Sequence, residues 1–376
     1  MLFNKIIGQR HLVNHLKTSA DKGRIAHAQL FVGKQGVGTL ATAIAYAQYI
    51  LCKDAACNLK VEKLQHPDLH FVFPTAKNDK VKKHPVSNLF LEDWRTFVKE
   101  QPYGSLFQWY EHLGIENKQG QIGVDEALEI VNALKLKSYE GGYKVMIIWM
   151  AEKMNNSAAN KLLKLLEEPP EKTIFILVVE QQELLINTIL SRCQILDFPL
   201  LSEENIANAL MERENSFPAE AKKIAHQSEG NYTKALDLLK KEGNDLEFEH
   251  LFITWVRAAF KAKGNASVIH DLIDWSDTIG VMGREKQKQF LDFCLQFFRQ
   301  ALLWNYGAKE LVFFEPQTNG FSIDKFAPFV HGENIEAINK ELNDAAYHIE
   351  RNGNAKLILL DISIKLTRLL HTKENT

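Results

Sequence analysis

Short runs of apolar residues alternate with stretches of helical spacing through the first 200 residues of the chain. The helical stretch Asn155 to Leu166 separates two of these runs and stops at Pro169-Pro170. Because strands that alternate with helices are typical of parallel sheets, the pattern predicts an α/β domain over residues 1–200. The runs that predict buried strands lie at the start of 26–50, at Val145–Trp149, at Thr173–Val179 and at Cys193–Phe198.

The pattern changes after residue 200. Short helical stretches follow, and Ser202 with Glu204 and Asn205 close behind it is a plausible helix start. From about Asp245 onward, apolar residues recur at helical spacing with almost no strand pattern. We therefore expect a small helical lid domain over 201–243 and an all-helical domain over 244–376.

Residues 75–120 break the alternation of strands and helices. The segment opens with a cluster of lysines within 77–83 and continues with Trp94, Trp109 and Tyr110 without clear sheet periodicity. We interpret it as an insertion. The lysine cluster is typical of a solvated loop, and contact with DNA phosphate or with an acidic partner is the alternative.

Composition and charge exclude several classes of protein. Lys and Arg total 45 against 47 for Asp and Glu, so no basic field of the whole molecule gathers nucleic acid. The four cysteines in 376 residues are too few and too scattered for a disulfide scaffold, which favours a reducing compartment. No stretch approaches 18 uninterrupted apolar residues, and the N-terminus lacks the pattern of a signal peptide. We expect a cytoplasmic protein without a membrane span.

The segment from Gly33 through Gly36 and Gly38 to Thr39 has the spacing of a P-loop, G-x-x-x-x-G-K-[ST], between a predicted strand and a predicted helix. Its chemical groups are missing, because Thr39 replaces the phosphate-binding Lys and Leu40 replaces the hydroxyl that ligates Mg²⁺. The sequence therefore predicts a degenerate P-loop without hydrolysis in cis. Two alternatives stay open: a tight structural turn, and a loop that still binds ATP or ADP.

The chain carries four further motifs: FNKIIGQ at Phe3–Gln9, an R-x-x-H-A-x-L-F segment at Arg24–Phe31, an L-L-K-x-L-E-E-P-P segment within Ala158–Pro170, and S-R-C at Ser191–Cys193. Together they resemble the motifs of one family, the AAA+ clamp loaders of bacterial DNA polymerase III. The resemblance implies an AAA+ parallel-sheet domain with a lid, and a helical C-terminal domain that serves as an oligomerising collar.

The departures from the family's ATPase motifs all point in one direction. Active subunits carry a Walker Lys, an acidic pair, a Thr after the third strand and an Arg in the lid. This chain has Thr39, Trp149-Met150, Val179-Glu180 and Thr233 at the corresponding places. That set resembles the non-hydrolysing delta-prime branch of the family and not the gamma/tau motor branch.

The resemblance also implies the partners. It predicts a hetero-oligomer with gamma/tau ATPase subunits and a delta subunit, which loads the sliding clamp on primed DNA. This subunit would not be catalytic by itself, ATP would be bound by its partners, and polymerase activity would belong to the complex. The alternative is an AAA+ protein that binds or slowly hydrolyses ATP itself, as a sensor or a motor.

Arg192, within the S-R-C motif, ends a predicted helix just before the Cys193 strand. The resemblance implies an arginine finger that stabilises charge on a γ-phosphate in a neighbouring subunit. The alternative is a helix-end Arg that binds carbonyl groups. Ser191 and Cys193 are expected to position the turn and not to react.

The resemblance raises the question of whether the chain binds one metal, zinc. Family members often carry a four-Cys zinc module after the P-loop helix, but this chain has only Cys52 and Cys57 in that region. His66 and His70 could complete a Cys₂His₂ set. The alternative is a degenerate loop with two inert thiols, and we expect no zinc and no other cofactor.

Overall fold

The computed structural model describes residues 2–115, 118–135, 137–139, 141–240, 245–312, 316, 318 and 320–373. The chain forms two compact units, Met1–Ile115 with Gln119–Lys241 and Glu116–Lys118 with Glu242–Thr376. The predicted boundary between 243 and 244 lies outside the described residues, as do residues 116 and 117 of the predicted insertion. The division of the first unit at residue 200 stays a prediction, since both of its parts belong to one compact unit.

A five-stranded parallel sheet organises the first unit, with the strand order β2-β3-β4-β1-β5. The predicted α/β class is confirmed. Strand β1 lies inside the sheet, where Leu30 pairs with Leu177 of β4 on one side and with Ile195 of β5 on the other. The strands are β1 (Ala28–Val32), β2 (Leu69–Val72), β3 (Lys144–Trp149), β4 (Thr173–Val179) and β5 (Gln194–Asp197).

Helices cover the sheet and form the lid region of the first unit. They are α1 (Arg10–Asp21), α2 (Thr39–Leu51), α3 (Ala55–Glu62), α4 (Leu91–Glu100), α5 (Leu106–Leu113), α6 (Val124–Lys135), α7 (Asn156–Glu167), α8 (Asn187–Leu190), α9 (Glu203–Glu214), α10 (Pro218–Gln227) and α11 (Tyr232–Lys240).

Two predicted helix starts are confirmed by their caps. The side chain of Asn155 accepts a hydrogen bond from the Ala158 amide at 2.9 Å, and that of Ser202 accepts one from the Asn205 amide at 3.2 Å. Each cap satisfies an amide that has no carbonyl partner in the first turn of its helix. Helix α7 therefore begins and ends close to where the sequence predicts.

The large aromatic residues of the segment interpreted as an insertion pack into the core of the first unit. The ring of Trp94 stacks on Phe73 with centroids 4.3 Å apart, and Trp109 meets Trp94 edge-on at 5.2 Å. The Trp109 indole nitrogen donates to the Pro74 carbonyl at 2.9 Å. The aromatic residues without sheet periodicity are thus core residues on α4 and α5, whatever the evolutionary origin of the segment.

The second unit is helical throughout its described residues, as predicted for the C-terminal part. Its core is rich in aromatic side chains, and Trp255 stacks on Trp275 with centroids 4.7 Å apart. Among the described helices, none is long and apolar enough to span a membrane. The helices are α12 (Asp245–Ala262), α13 (Ile269–Gly280), α14 (Arg284–Asn305), α15 (Ile323–Phe326), α16 (Gly332–Glu350) and α17 (Ala355–Leu369).

Candidate functional site: a closed phosphate loop and an anchored arginine

The degenerate P-loop joins β1 to α2 at the carboxyl end of the sheet, where parallel α/β domains bind ligands. The Gly33 amide donates to the Val179 carbonyl at 3.1 Å, which fixes the start of the loop to β4. Helix α2 begins at Thr39, and the side chain of Leu40 is buried in the core. The position of the metal-binding hydroxyl thus faces the hydrophobic interior.

Tyr103 lies where the loop meets α2. A Cβ atom built on Gly38 would come within 2.6 Å of the Tyr103 ring. The phenol oxygen accepts the Ile7 amide at 2.8 Å, and the Tyr103 carbonyl accepts the Thr233 hydroxyl at 2.5 Å. The ring is therefore held against the loop from two sides, one in the N-terminal segment and one in the lid region.

Asn231 closes the middle of the loop. A Cβ atom built on Gly36 would come within 1.9 Å of Asn231 Oδ1, and Gly36 has a φ of +76°. The Tyr232 amide donates to the Gly36 carbonyl at 3.2 Å, and Asn231 Oδ1 accepts the Lys234 amide at 3.0 Å. The start of α11 thus binds the loop directly. Glycine at position 36 is required by contact with the lid region.

A cluster of two tyrosines and an arginine covers the same end of the loop. Tyr103 and Tyr232 meet edge-on with centroids 5.2 Å apart, and the Arg213 guanidinium lies about 6 Å from both rings. Burial raises the pKa of both phenols, so both are neutral at physiological pH. One of these rings, that of Tyr103, packs directly against Gly38 at the start of α2.

Apolar residues stand at the positions that the acidic pair of an ATPase would occupy. Trp149 is the last residue of β3 and Met150 follows it; both are buried, with the Trp149 ring 5.2 Å from Trp94. The nearby Glu152 carboxylate accepts the Glu180 amide at 2.9 Å, and burial raises its pKa. It caps the end of β4. The cavity left beside the loop measures about 20 Å³, which is room for one water molecule.

Arg192 lies just before β5, at the edge where the parallel strands begin, whereas the P-loop lies at the edge where they end. Its Nη1 donates to the Thr188 carbonyl at 2.8 Å and to Ser191 Oγ at 3.3 Å, and its Nη2 pairs with Glu167 Oε1 at 2.5 Å. The contact with Thr188 is the helix-end contact considered from the sequence. The guanidinium also binds a carboxylate that sequence reasoning did not connect with it.

The other two residues of the S-R-C motif shape the turn. Ser191 Oγ donates to the Thr188 carbonyl at 3.2 Å, and the Cys193 amide donates to the Leu190 carbonyl at 3.3 Å. Burial raises the pKa of the Cys193 thiol to about 11, so almost none of it is thiolate at neutral pH. These contacts fit the predicted role in positioning the turn.

Cys52 and Cys57 form a disulfide, which corrects the expectation of two inert thiols. Cys52 follows the last residue of α2 and Cys57 lies in the first turn of α3, so their Cα atoms are only 5.2 Å apart. A ring nitrogen of His66 lies within 4.8 Å of both sulfurs, and His70 is not part of this group. Disulfide sulfurs are not thiolate ligands, and a structural zinc site needs four ligands. In this arrangement the two sulfurs bond to each other, and the expectation of no zinc stays a prediction.

Two lysines of the cluster at residues 77–83 pair with carboxylates of the protein. Lys80 lies 3.3 Å from Asp93, and Lys82 lies 3.4 Å from Asp79. Both lysine side chains stay mostly exposed, at 75% and 71%, as in a solvated loop, and contact with DNA or an acidic partner stays the alternative.

Sequence reasoning missed the residues that close the P-loop: Tyr103, Asn231, Tyr232 and Arg213. Tyr103 lies in the segment interpreted as an insertion, and the other three lie in the lid region. The contacts of Tyr103, Asn231 and Tyr232 with Gly36 and Gly38 span 65 residues or more along the chain, and Arg213 contacts the two tyrosines. No local pattern signals such contacts. The partner of Arg192 was missed for the same reason.

Comparison with known proteins places this geometry in a family. The model of the family described as DNA polymerase III, delta subunit, matches residues 8–202, which is more than half of the chain. DNA polymerase III subunit delta′ of Bacillus subtilis (strain 168) is 28% identical over 242 residues, 62% of this chain and 60% of that protein. DNA polymerase III subunit tau of the same organism is 27% identical over 317 residues, 80% of this chain and 50% of that protein.

A solved structure is also similar. A DNA polymerase III gamma subunit-related protein from Thermotoga maritima is 15% identical and covers 95% of this chain and 99% of its own, with a TM-score of 0.42.

The aligned parts cover only half to three-fifths of the Bacillus relatives. The P-loop without its lysine and the S-R-C arginine both lie within residues 8–202, which the family model matches. The chain belongs to the DNA polymerase III delta-subunit family, as a clamp-loader subunit of the delta-prime type.

Proposed function

We propose that this chain is a non-hydrolysing subunit of the replicative clamp loader, which contributes architecture and one arginine to an ATP site of a neighbouring subunit. The closed P-loop is the observation that carries the proposal. Ligand pockets usually measure at least about 300 Å³, and the cavity beside this loop is about 20 Å³. The close approach of Tyr103 to Gly38 and of Asn231 to Gly36 supports the proposal that little room is left for phosphates at this loop.

The lid region supports the same conclusion. In a nucleotide-binding relative, phosphate would connect the loop with the lid. Here the Tyr232 amide donates to the Gly36 carbonyl and the Thr233 hydroxyl donates to the Tyr103 carbonyl, so the protein's own hydrogen bonds join the loop to the lid region. We therefore infer one fixed arrangement of loop and lid region, independent of ATP.

The partners follow from the family. We propose a hetero-oligomer with gamma/tau-type ATPase subunits and a delta-type subunit, in the cytoplasm, which loads the sliding clamp on primed DNA. ATP would be bound by the partner subunits, and this chain would hold no cofactor of its own. The polymerase reaction would belong to the complex.

Arg192 is the residue that we propose for catalysis in trans. Its side chain is 33% exposed, at the end of α8 and before β5. A guanidinium is always charged, and its planar donors match phosphate oxygens. The helix-end contacts of Arg192 in the isolated chain are compatible with this role, because they occupy only some of its donors.

The test is ATP hydrolysis by the loader reconstituted from full-length subunits, stimulated by clamp and primed DNA. With Arg192→Ala we expect turnover to fall at least about tenfold, since arginine fingers contribute large factors to phosphoryl transfer. Turnover should also fall with Arg192→Lys, because lysine lacks the planar set of N–H donors of a guanidinium. Arg10→Ala, at an exposed position of α1, is the control. Assembly is verified by size-exclusion chromatography with light scattering, and unchanged turnover in an intact Arg192→Ala loader would contradict the proposal.

A further inference from the structure

We propose that Glu167 is the positioning residue for Arg192, and that its carboxylate holds the guanidinium in the orientation in which it meets the neighbouring phosphate. The catalytic half of this inference rests on the proposed function. The structural half concerns the isolated chain and is tested separately.

The contacts of Arg192 come from two helix ends. Glu167 is the last residue of α7, and its Oε1 lies 2.5 Å from Nη2. Thr188 belongs to α8, and its carbonyl lies 2.8 Å from Nη1. The side chain is thus fixed from two directions, and one carboxylate oxygen determines where the outer edge of the guanidinium points.

Donor counting shows what remains for a ligand. A guanidinium has five N–H donors. Within the described part of the chain, Nη1 donates to the Thr188 carbonyl and to Ser191 Oγ, and Nη2 donates once to Glu167. The Nε–H and the second Nη2–H are left over. A phosphate accepts two donors from one guanidinium in a bidentate contact.

The position of Glu167 is itself fixed by the sheet. A ring nitrogen of His27, Nε2, lies 3.1 Å from the Leu166 carbonyl, and since a carbonyl only accepts, this nitrogen carries the proton. The His27 carbonyl accepts the Phe175 amide of β4 at 2.7 Å. The end of α7 is therefore tied to β4 through the residue just before β1. The backbone position of Glu167 is therefore fixed relative to the sheet.

The pair is poorly placed to stabilise the fold. Both side chains are partly exposed, at 33% and 46%, and exposed ion pairs contribute little to the free energy of unfolding. An arginine side chain, by contrast, has many rotamers. A displacement of about 1 Å in a reacting group can lower a rate by about 100-fold. Orientation of the guanidinium is thus the main effect that this contact can have.

The first experiment measures the order of the Arg192 side chain in the isolated full-length chain. Selective ¹⁵N-arginine labelling gives one Nε–H signal per arginine, and the signal lost in Arg192→Lys identifies Arg192. We expect an ordered Nε–H in the native chain and in Glu168→Ala, the matched control one residue along. Glu167→Ala should lower the order parameter below about 0.6, the range of flexible groups. An equally ordered signal in Glu167→Ala would overturn the positioning role.

The second experiment measures ATP turnover by the reconstituted loader. We expect Glu167→Ala to lower kcat about three- to tenfold with the KM for ATP unchanged, because a finger acts on the transition state. The kcat of Glu167→Gln should stay within about twofold of the native value, since the amide oxygen of Gln still accepts the N–H of Arg192. Glu167→Ala should have no further effect in the Arg192→Ala background.

The outcomes separate the two proposals. If Arg192→Ala leaves turnover unchanged, the proposed function fails, and the order parameter alone then supports or overturns positioning. If Arg192→Ala lowers turnover but Glu167→Ala lowers it equally in both backgrounds, Glu167 acts independently of Arg192 and the inference is wrong. A rise of kcat in Glu167→Ala would also overturn it, because the carboxylate would then be withholding the finger.

Discussion

The ring of Tyr103 lies so close to Gly38 that a Cβ atom on this glycine would be 2.6 Å from the ring carbon Cε1. Glycine in a phosphate loop normally allows backbone amides to approach a phosphate. In this chain the same property allows the close approach of an aromatic ring. The loop retains its glycines, and the ring of Tyr103, a side chain of the protein itself, packs against Gly38.

Truncation of Tyr103 should destabilise the first unit without creating a nucleotide site. Tyr103→Ala leaves a cavity and an unbonded Ile7 amide, so we expect the free energy of unfolding to fall by about 3–5 kcal/mol. Tyr103→Phe removes only the acceptor and should cost about 1 kcal/mol. Urea denaturation of the two variants measures both losses in the free energy of unfolding. Tyr139→Ala is the control because Tyr139 is 80% exposed, and an equal loss there would contradict the account.

Gly36 should tolerate alanine much less well than Gly23 does. Both glycines have positive φ, +76° and +63°, so both substitutions incur a similar backbone cost of about 1–2 kcal/mol. Only at Gly36 does the added Cβ meet another group, Asn231 Oδ1 at 1.9 Å; at Gly23 nothing lies within 4 Å. We expect Gly36→Ala to cost about 1–3 kcal/mol more. Thermal unfolding of the two variants tests this difference. Equal shifts in Tm would contradict it, because they would show that the Asn231 side chain moves away from the added Cβ without cost.

The thiol of Cys193 should react slowly despite its place beside Arg192. Burial raises its pKa from 9.0 to about 11. The thiolate fraction at neutral pH is then lower by a factor of about 100. Alkylation by iodoacetamide, followed by mass spectrometry of the folded chain, should be slower than for glutathione by that order and should accelerate as pH rises towards 11. Labelling of Cys193 as fast as glutathione would place a reactive nucleophile in the motif.

Glu126 should make the first unit less stable as pH rises from about 5 to 7.5. Its carboxyl accepts the Ser87 amide at 2.6 Å, and burial raises its pKa from 4.5 to about 7. The folded chain therefore binds a proton that the unfolded chain releases above pH 4.5. This contribution, about 3 kcal/mol, is present below pH 4.5 and is lost as pH rises through 7. Glu126→Gln should remove this part of the slope in urea titrations at several pH values. Glu100→Gln, at an exposed site, should keep the native slope, and an unchanged slope in Glu126→Gln would refute the assignment.

The sequence predicts most of the sheet because its inner strands are long and apolar. Val145–Trp149 and Thr173–Val179 coincide closely with β3 and β4. Strand β2 was missed, since Leu69–Val72 has only four residues and includes a histidine. The spacing of Gly33, Gly36 and Gly38 identified the site but not what fills it. That depends on contacts with residues distant in sequence, which a local pattern does not encode.

The same limit applies to Arg192 and to the cysteines. The S-R-C motif identified the arginine, whereas its ion pair with Glu167 joins residues 25 positions apart. The sequence interpretation left Cys52 and Cys57 as inert thiols. Their disulfide follows from the sharp turn between α2 and α3, which brings the Cα atoms to 5.2 Å.

The most direct measurement is an equilibrium titration of the isolated full-length chain with ATP and Mg²⁺, by calorimetry. A gamma/tau-type subunit in the same buffer serves as the positive control. We predict no saturable binding up to about 1 mM, because Tyr103 and Asn231 occupy the loop and about 20 Å³ remains beside it. Stoichiometric binding with a Kd of about 10 µM or tighter would contradict the closed loop and would favour a subunit that senses nucleotide itself.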